Sequence, residues 1–551
     1  MRAEHAGLLT EAVMESCAEI PRARRQEWVA QLAERYDDVK RRAERGSRAT
    51  GTWFTPAGAV GTLLDGCMPR RARAGWALCD PACGTGHVLA GAAARLGAAG
   101  WTGARIARAL HGMDIDPLAV AIARVRMAVA FGGGVGAWSA SIRCGDALES
   151  GAWDDLAFDA VAGNPPFLGQ LARDSARSVT ERASRAARFG GAVRRYADEA
   201  SAFLLLACEL APRGMVALVQ PLAALATADG QAVRERCERT HALRAVTVLA
   251  PRTFGADVRT CIVTLSSGRG AGTVRVRTEG GADAAVAAGR TRGGRWGAAL
   301  AASRGVPDPG LGTAAATLGT IADATSDFRQ HYYGLRGRVR EAAGTRPAPG
   351  ERRLVTAGAI GVARCGWGDA PATIHGRAFA RPVVRPRELA ADRVLGPWAR
   401  DRGGRKVLVA PQKPVIAAWV DDRGTALPSV PVVTVRPHAV QDAWLLGAAL
   451  MAPPVAAEAW WRHGGSGLSA GALRVSARQL LALPLPTDRA AWRRGARLLE
   501  RWQRGRRGAA GEPDAIAAEF AAVMCRAHGM TGTRADRVAS WWLHAAGLDA
   551  R

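Results

Sequence analysis

From about residue 51 the chain reads as short apolar runs set between stretches of helical period. The runs are Trp76–Asp80, Ala109–Met113, Ser141–Cys144, Phe158–Gly163, Gly214–Gln220, Val246–Leu249 and Arg259–Leu265, each of strand length. Between the earlier ones lie segments rich in Ala, Arg and Leu at three-to-four spacing, clearest over 117–130 and 199–211. Strands alternating with helices predict an open α/β sheet with mostly parallel strands. The last two runs are too close in sequence for a helical crossover, so they are expected to pair as an antiparallel hairpin at one sheet edge.

The flanks have another texture. Residues 1–50 carry apolar positions such as Leu8, Leu9, Ala12, Val13, Trp28, Leu32, Tyr36 and Val39 at helical spacing, and predict an N-terminal helical cap. Residues 271–324 are rich in Gly, Ala, Arg and Thr and read as a linker or an extension of the preceding domain. Over 325–490 new strand-like runs appear (Lys406–Ala410, Val415–Val420, Val430–Val435), followed by one helix from Ala443 to about Trp461, which fits an α+β domain. Residues 491–551 close the chain as a basic helical segment. Within 489–507 eight arginines and one acid, Glu500, are interleaved with Trp492 and Trp502. A DNA contact and a solvated helix face are both open readings of that cluster.

Charge changes the picture more than size does. The chain has 551 residues, with Lys+Arg 75 against Asp+Glu 49, a net charge of +26. Only Lys40, Lys406 and Lys413 are lysines. Such an excess attracts polyanions, and arginine forks onto phosphate and guanine edges. A hydrophobic fraction of 48% excludes whole-chain disorder. No uncharged apolar stretch is long enough to span a membrane, and the acid-bearing first thirty residues do not read as a secretory signal. The ten cysteines show no zinc-ribbon spacing and the histidines are scattered, so reduced thiols and no metal site are expected.

The strongest chemical signal follows the first strand: Asp80-Pro81-Ala82-Cys83-Gly84-Thr85-Gly86, then a helix beginning near His87. Gly84 and Gly86 permit a tight turn and close backbone approach to a ligand, and the helix start offers free N–H groups. Leu89 stands where a GxGxxG loop needs its third glycine, and no Lys-Ser/Thr follows, which disfavours pyrophosphate ligands. The second strand ends at Asp114-Ile115-Asp116, where a carboxylate can accept both ribose hydroxyls of an adenosine. The third ends at Cys144-Gly145-Asp146, so three carboxylates fall on one rim, the rim where open α/β sheets bind ligands. After the fourth strand comes Asn164-Pro165-Pro166-Phe167. The two prolines stiffen the loop and remove donors, leaving the Asn164 side-chain oxygen and the Pro165 carbonyl as two fixed acceptors for a planar amino group. A stiffened turn with Phe167 in the core is the plainer alternative.

Together these motifs resemble the N6-adenine-specific DNA methyltransferases, the amino-methylating branch of the enzymes that use S-adenosyl-L-methionine (AdoMet). The resemblance covers roughly 51–270 and rests on Phe54-Thr55-Pro56, the Asp80–Gly86 loop, Asp114, Asp146 and Asn164–Phe167, in that order. Phe54-Thr55-Pro56 is one residue shorter than the family's F-x-T-P element, and Ala147 stands where an aromatic usually follows the third-strand acid. The resemblance implies a Rossmann-like catalytic domain over 51–270. It implies that Phe54, Thr55, Pro56, Asp80, Pro81, Ala82, Gly84, Gly86, Asp114, Ile115, Asp146 and Ala147 bind AdoMet, and that Asn164, Pro165, Pro166 and Phe167 act on the adenine. Phe167 and Phe254 would stack on a base flipped out of double-stranded DNA. Residues 325–490 look like the target-recognition domain of the type II-like enzymes, through His331-Tyr332-Tyr333-Gly334-Leu335, Gly366-Trp367-Gly368, Leu473-Arg474-Val475-Ser476 and Leu483-Pro484-Leu485-Pro486. No PD-x(n)-[DE]-x-K arrangement precedes the methyltransferase part, so any restriction partner is expected to be encoded separately. A bacterial, cytoplasmic location, on the nucleoid when DNA-bound, goes with that reading. The rival readings are a methyltransferase for RNA or protein glutamine, and a non-catalytic DNA-binding subunit of a modification or defence complex.

Overall fold

The structure is a computed structural model that describes residues 2–46, 55–153, 156–167, 187–190, 192, 199–227, 230–251, 253–254, 259–270, 272–279, 283–312, 316–327, 329–465, 471–505 and 512–548. The chain divides into two compact units, Met1–Ala299 and Leu300–Arg551.

In the first unit, helices α1 (Arg2–Ala18), α2 (Arg25–Gly46) and α3 (Ala57–Cys67) precede the sheet. Strand β1 (Leu78–Asp80) leads into α4 (His87–Ala98) and α5 (Gly103–Ala109). Then follow β2 (Leu110–Asp114), α6 (Pro117–Phe131), α7 (Gly134–Ser141), β3 (Ile142–Cys144) and β4 (Ala160–Gly163). Helix α8 (Glu199–Leu210), β5 (Met215–Pro221), α9 (Gln231–Cys237), β6 (His241–Val248), β7 (Thr260–Ser267), β8 (Thr273–Thr278) and β9 (Ala284–Ala287) complete the order. The nine strands form one sheet in the order β3-β2-β1-β4-β5-β7-β6-β8-β9.

Strands β1 to β5 are mutually parallel, and β7 runs antiparallel between β5 and β6. Every residue of β1 and of β4 is buried, as expected where helices cover both faces of a parallel sheet. Helix α4 supplies part of that cover by burying one stripe, Val88, Leu89, Ala92, Ala93 and Leu96. The expected antiparallel hairpin is present, and the sheet continues past it by two strands. In β8, Val274 and Val276 point inward between exposed neighbours, a period-two pattern that the surrounding arginines obscure in the sequence. Strand β6 begins well before its apolar run, because His241 is buried and its Nε2 lies 2.9 Å from the Ala211 carbonyl oxygen. Chain order reverses where β2 and β4 flank β1, and crevices for ligands open at such points.

The second unit holds two four-stranded sheets. One runs Ala322–Ser326, Val433–Pro437, Lys406–Val409, Ala418–Asp421, all antiparallel. The other runs Arg340–Glu341, Pro382–Val384, Arg352–Val355, Ala426–Pro428. Across the first sheet the Lys406 ammonium sits 2.7 Å from the Asp421 carboxylate, both side chains 1% exposed. The single helix expected over 443–461 is instead two, Ala443–Met451 and Pro453–His463. Pro453 and Pro454 carry no N–H, and Pro453 pushes Ala452 out of the helical region, to ψ 132°. The arginine-rich segment forms a helix, Arg489–Gly505. Its Trp502 is fully buried against Phe520 and Trp542, with ring centroids at 5.9 and 6.4 Å, and Trp492 Nε1 donates to the Leu445 carbonyl. Arg494 and Arg501 pair with Glu519. Both tryptophans therefore anchor the helix.

Candidate active site

The carboxyl ends of β1, β2, β3 and β4 line one rim. After β1 the chain turns through Gly84 and Gly86, both in the left-handed region at φ +50° and +81°. A Cβ at Gly84 would meet nothing within 4 Å, so the loop stands beside open space. The Asp114 carboxylate ties this loop to the next: Oδ2 accepts from the Gly84 N–H and Oδ1 from the Asp116 N–H, both at 2.9 Å. Cys83 N–H also donates to the Met113 carbonyl. Each Asp114 oxygen retains acceptor capacity beyond its backbone donor. Burial raises the Asp114 pKa, against the pull of those two N–H groups.

Asp80 is fully buried at the end of β1, where Oδ1 accepts from the Ala82 N–H at 3.1 Å. Burial pushes its carboxyl up to about 7. The carboxylate lies against Gly163, the last residue of β4: a Cβ there would stand 2.5 Å from Asp80 Oδ1. Asn164 follows directly, so the Asn-Pro-Pro-Phe loop begins beside the first carboxylate. Asp146, just past β3, accepts from the Leu148 N–H through Oδ1 and closes its own turn. Ala147 is buried, whereas Ile115 is 52% exposed on the same rim and offers an apolar face beside Asp114.

The side-chain nitrogen Nδ2 of Asn164 donates to Thr55 Oγ1 at 3.2 Å. That bond joins the Thr55-Pro56 element to the Asn164 loop across the chain and orients the amide, its oxygen at the opposite end. Thr55 is buried, and Pro56 stands at the N-cap of α3. Phe54 lies outside the described residues. Phe167 and Phe254 come together with centroids 6.5 Å apart and planes at 70°, both buried in the core cluster that also holds Leu249 and Ile262. In this arrangement the two rings meet edge to face and pack on each other.

Sequence reasoning missed a second tier of residues, on α2. Tyr36 Oη donates to Asp116 Oδ2 at 2.5 Å, and Lys40 Nζ bonds to both Tyr36 Oη and Asp116 Oδ2. Asp116 itself caps α6 by accepting from the Leu118 and Ala119 N–H groups. Thr85, between the two glycines, donates to Asp37 Oδ2 at 3.2 Å and lies 3.1 Å from His87 Nδ1. Burial, helped by the Arg126 charge, drops the His87 pKa to about 3, so the ring is neutral. The Asp-Pro pair at 116–117 was a legible helix start; nothing in the sequence tied it to residues 36–40.

Among the described residues no group of three or more His, Cys, Asp or Glu side chains could hold a metal ion, and no helix is long and apolar enough to cross a membrane.

Residues 34–279 match the family model described as N-6 DNA Methylase, so a domain of that family is present in the chain. No curated protein matches the chain. Among solved structures, the type IIL restriction-modification enzyme MmeI in complex with DNA aligns with a TM-score of 0.53 at 13% identity, over 87% of this chain and 71% of that one. A modification subunit of a putative type I restriction enzyme from Vibrio vulnificus YJ016 aligns at 18% identity and a TM-score of 0.37, over 46% of this chain. This chain spans 52% of that subunit. The type IIG restriction endonuclease BpuSI aligns at 13% identity, with a TM-score of 0.42, over 94% of this chain and 68% of that one. These three solved structures come from type I, type IIL and type IIG proteins.

Proposed function

We propose that this chain transfers the methyl group of AdoMet to the N6 amino group of a flipped-out adenine in a specific double-stranded DNA sequence, as the modification activity of a restriction-modification system. The observation that carries the reading is the meeting of Gly163 with the Asp80 carboxylate, which sets the Asn164 loop beside the glycine loop. The family match over 34–279 supports the reaction class, and the likeness to a DNA-bound enzyme over 87% of this chain supports DNA as substrate.

The residues present fit AdoMet. Gly84 borders open space, the buried Asp80 carboxyl would be drawn to its ionised form by a cation, and Asp114 has acceptor capacity for ribose hydroxyls. When bound, AdoMet supplies an electrophilic methyl on a sulfonium. Adenine N6 is a weak nucleophile because its lone pair is delocalised into the ring. The Asn164 side-chain oxygen and the Pro165 carbonyl accept its two hydrogens, hold the nitrogen in place, and stabilise the positive charge that develops there. Transfer would exchange the S–CH3 bond for an N–CH3 bond, leave S-adenosylhomocysteine with the electron pair, and release one N6 proton to solvent. Pro165 and Pro166 keep those acceptors fixed. The target base leaves the duplex to reach them, and Phe167 and Phe254 part from their mutual contact to face it.

Incubating the full chain with labelled AdoMet and several duplex DNAs, then analysing nucleosides, tests the proposal. N6-methyladenine at a defined sequence is the expected product. Label appearing only in RNA or protein would transfer the reading to the rival substrate, and cofactor binding without turnover on any substrate would favour a non-catalytic subunit.

A further inference from the structure

The cluster on α2 reaches both the loop after β1 and the loop after β2 at once. Asp37 holds the Gly84-Thr85-Gly86 turn through the Thr85 hydroxyl, and Arg126 reinforces it by donating to the Thr85 carbonyl at 3.3 Å. Beside it on the same helix, Tyr36 and, one turn further along, Lys40 hold the Asp114-Ile115-Asp116 loop through Asp116. Asp116 in turn donates its N–H to Asp114, and Asp114 accepts from Gly84. The result is a ring of hydrogen bonds, closed through the backbone at Tyr36-Asp37 and Gly84-Thr85, in which α2 ties the loop after β1 to the loop after β2.

Two facts mark this ring as more than surface packing. Burial would raise the Asp116 carboxyl, yet the bonds from Lys40 and Tyr36 outweigh it and hold the group below the usual carboxylate range. Position 40 also keeps an ammonium in a chain where lysine occurs three times among 75 basic residues. A single nitrogen shared by a carboxylate and a phenol suits a lysine, whereas a planar guanidinium would need its fork accommodated. The family match begins at residue 34, which places this face of α2 inside the methylase-like region.

We propose that Tyr36, Asp37 and Lys40 are positioning residues for the methyl donor: they set the spacing between the glycine loop and the acidic loop into which the adenosine and methionine portions of AdoMet fit. The proposal rests on the methyltransferase reading above. None of the three need touch the cofactor. The helical segment ahead of the sheet is then part of the donor site.

The test uses the full chain and S-adenosylhomocysteine as the calorimetric probe. Tyr36→Phe removes one hydroxyl and keeps the ring, and Lys40→Met keeps the apolar stem, so both spare the packing of α2. Gln31→Ala, on an exposed position of the same helix, is the control. Both variants are expected to lose roughly tenfold or more in probe affinity, the scale of one hydrogen bond to a charged group. Their unliganded melting temperatures should stay with that of the control. In methyl transfer the KM for AdoMet should rise while kcat at saturating AdoMet holds, a split that general destabilisation does not produce. Probe affinity in both variants equal to the control, or a fall in kcat with KM unchanged, overturns the proposal. Failure of the parent chain to bind the probe at all would instead overturn the methyltransferase reading.

Discussion

Gly163 and Asp80 occupy the same few ångströms: the hydrogen on the Gly163 α-carbon points at a carboxylate oxygen that would be 2.5 Å from any Cβ placed there. The neighbour is a buried carboxyl at a strand end, so it has little room to give way. Gly163→Ala should therefore displace Asp80 or the Asn164 loop, at about 1–3 kcal/mol in stability. Denaturant unfolding and AdoMet titration of the variant check this, and wild-type values in both would show that the contact is slack.

Asn164→Ala should reduce methyl transfer on the order of 10²–10³-fold while AdoMet binding survives, because the lost group acts on the adenine. Thr55→Val removes the hydroxyl that accepts from Nδ2 and should cost about tenfold, through misorientation of the amide. Turnover measured beside cofactor affinity separates the two roles. Loss of both together in Asn164→Ala would contradict the assignment.

Asp80 predicts a pH dependence. Its carboxyl is raised from 3.8 to about 7 by burial, so the unliganded fold takes up this proton more readily than the unfolded chain. Stability from this group is present below about pH 4 and is lost as pH rises through about 7, by up to a few kcal/mol. Asp80→Asn should flatten that slope, raise the unliganded melting temperature at pH 8, and weaken AdoMet binding. Melting curves at pH 5 and pH 8 read the sign directly, and an unchanged slope would mean that water reaches the group.

In the second unit, Asp421 accepts from Lys406, from the Thr425 and Ala426 N–H groups and from the Thr425 hydroxyl. Asp421→Ala leaves the Lys406 ammonium buried without its counter-charge and should cost about 3–5 kcal/mol. Adding Lys406→Met should recover part of that loss. Chemical denaturation of the single and double variants measures the coupling, and strict additivity would show that the pair is not electrostatically joined.

Much of the first unit was legible because its information is local. Apolar runs marked β1 to β5 to within a few residues, and Asp80, Gly84, Gly86, Asp114 and Asn164 announced themselves by their place at strand ends. Other features depend on partners distant in the chain. Thr55 meets Asn164 across 109 residues and Tyr36 meets Asp116 across 80, pairings that no periodicity encodes. Strands β8 and β9 hid among glycines and arginines, since two inward valines are a weak signal. The break at Pro453 was visible but was outweighed by the apolar run on either side of it. For the tryptophans interleaved in the basic helix the sequence leaves stacking on a base and anchoring of the helix both open, and the burial of Trp502 against Phe520 and Trp542 shows an anchor.

The long sheet of the first unit ends in short strands on both sides: three residues at Ile142–Cys144 on one border and four at Ala284–Ala287 on the other, against seven at Met215–Pro221 and eight at His241–Val248. A stray polypeptide seeking to extend the ladder would find only a rung or two at either side. Brevity at the margins thus guards against amyloid-like stacking in a domain whose interior strands are among its most apolar segments.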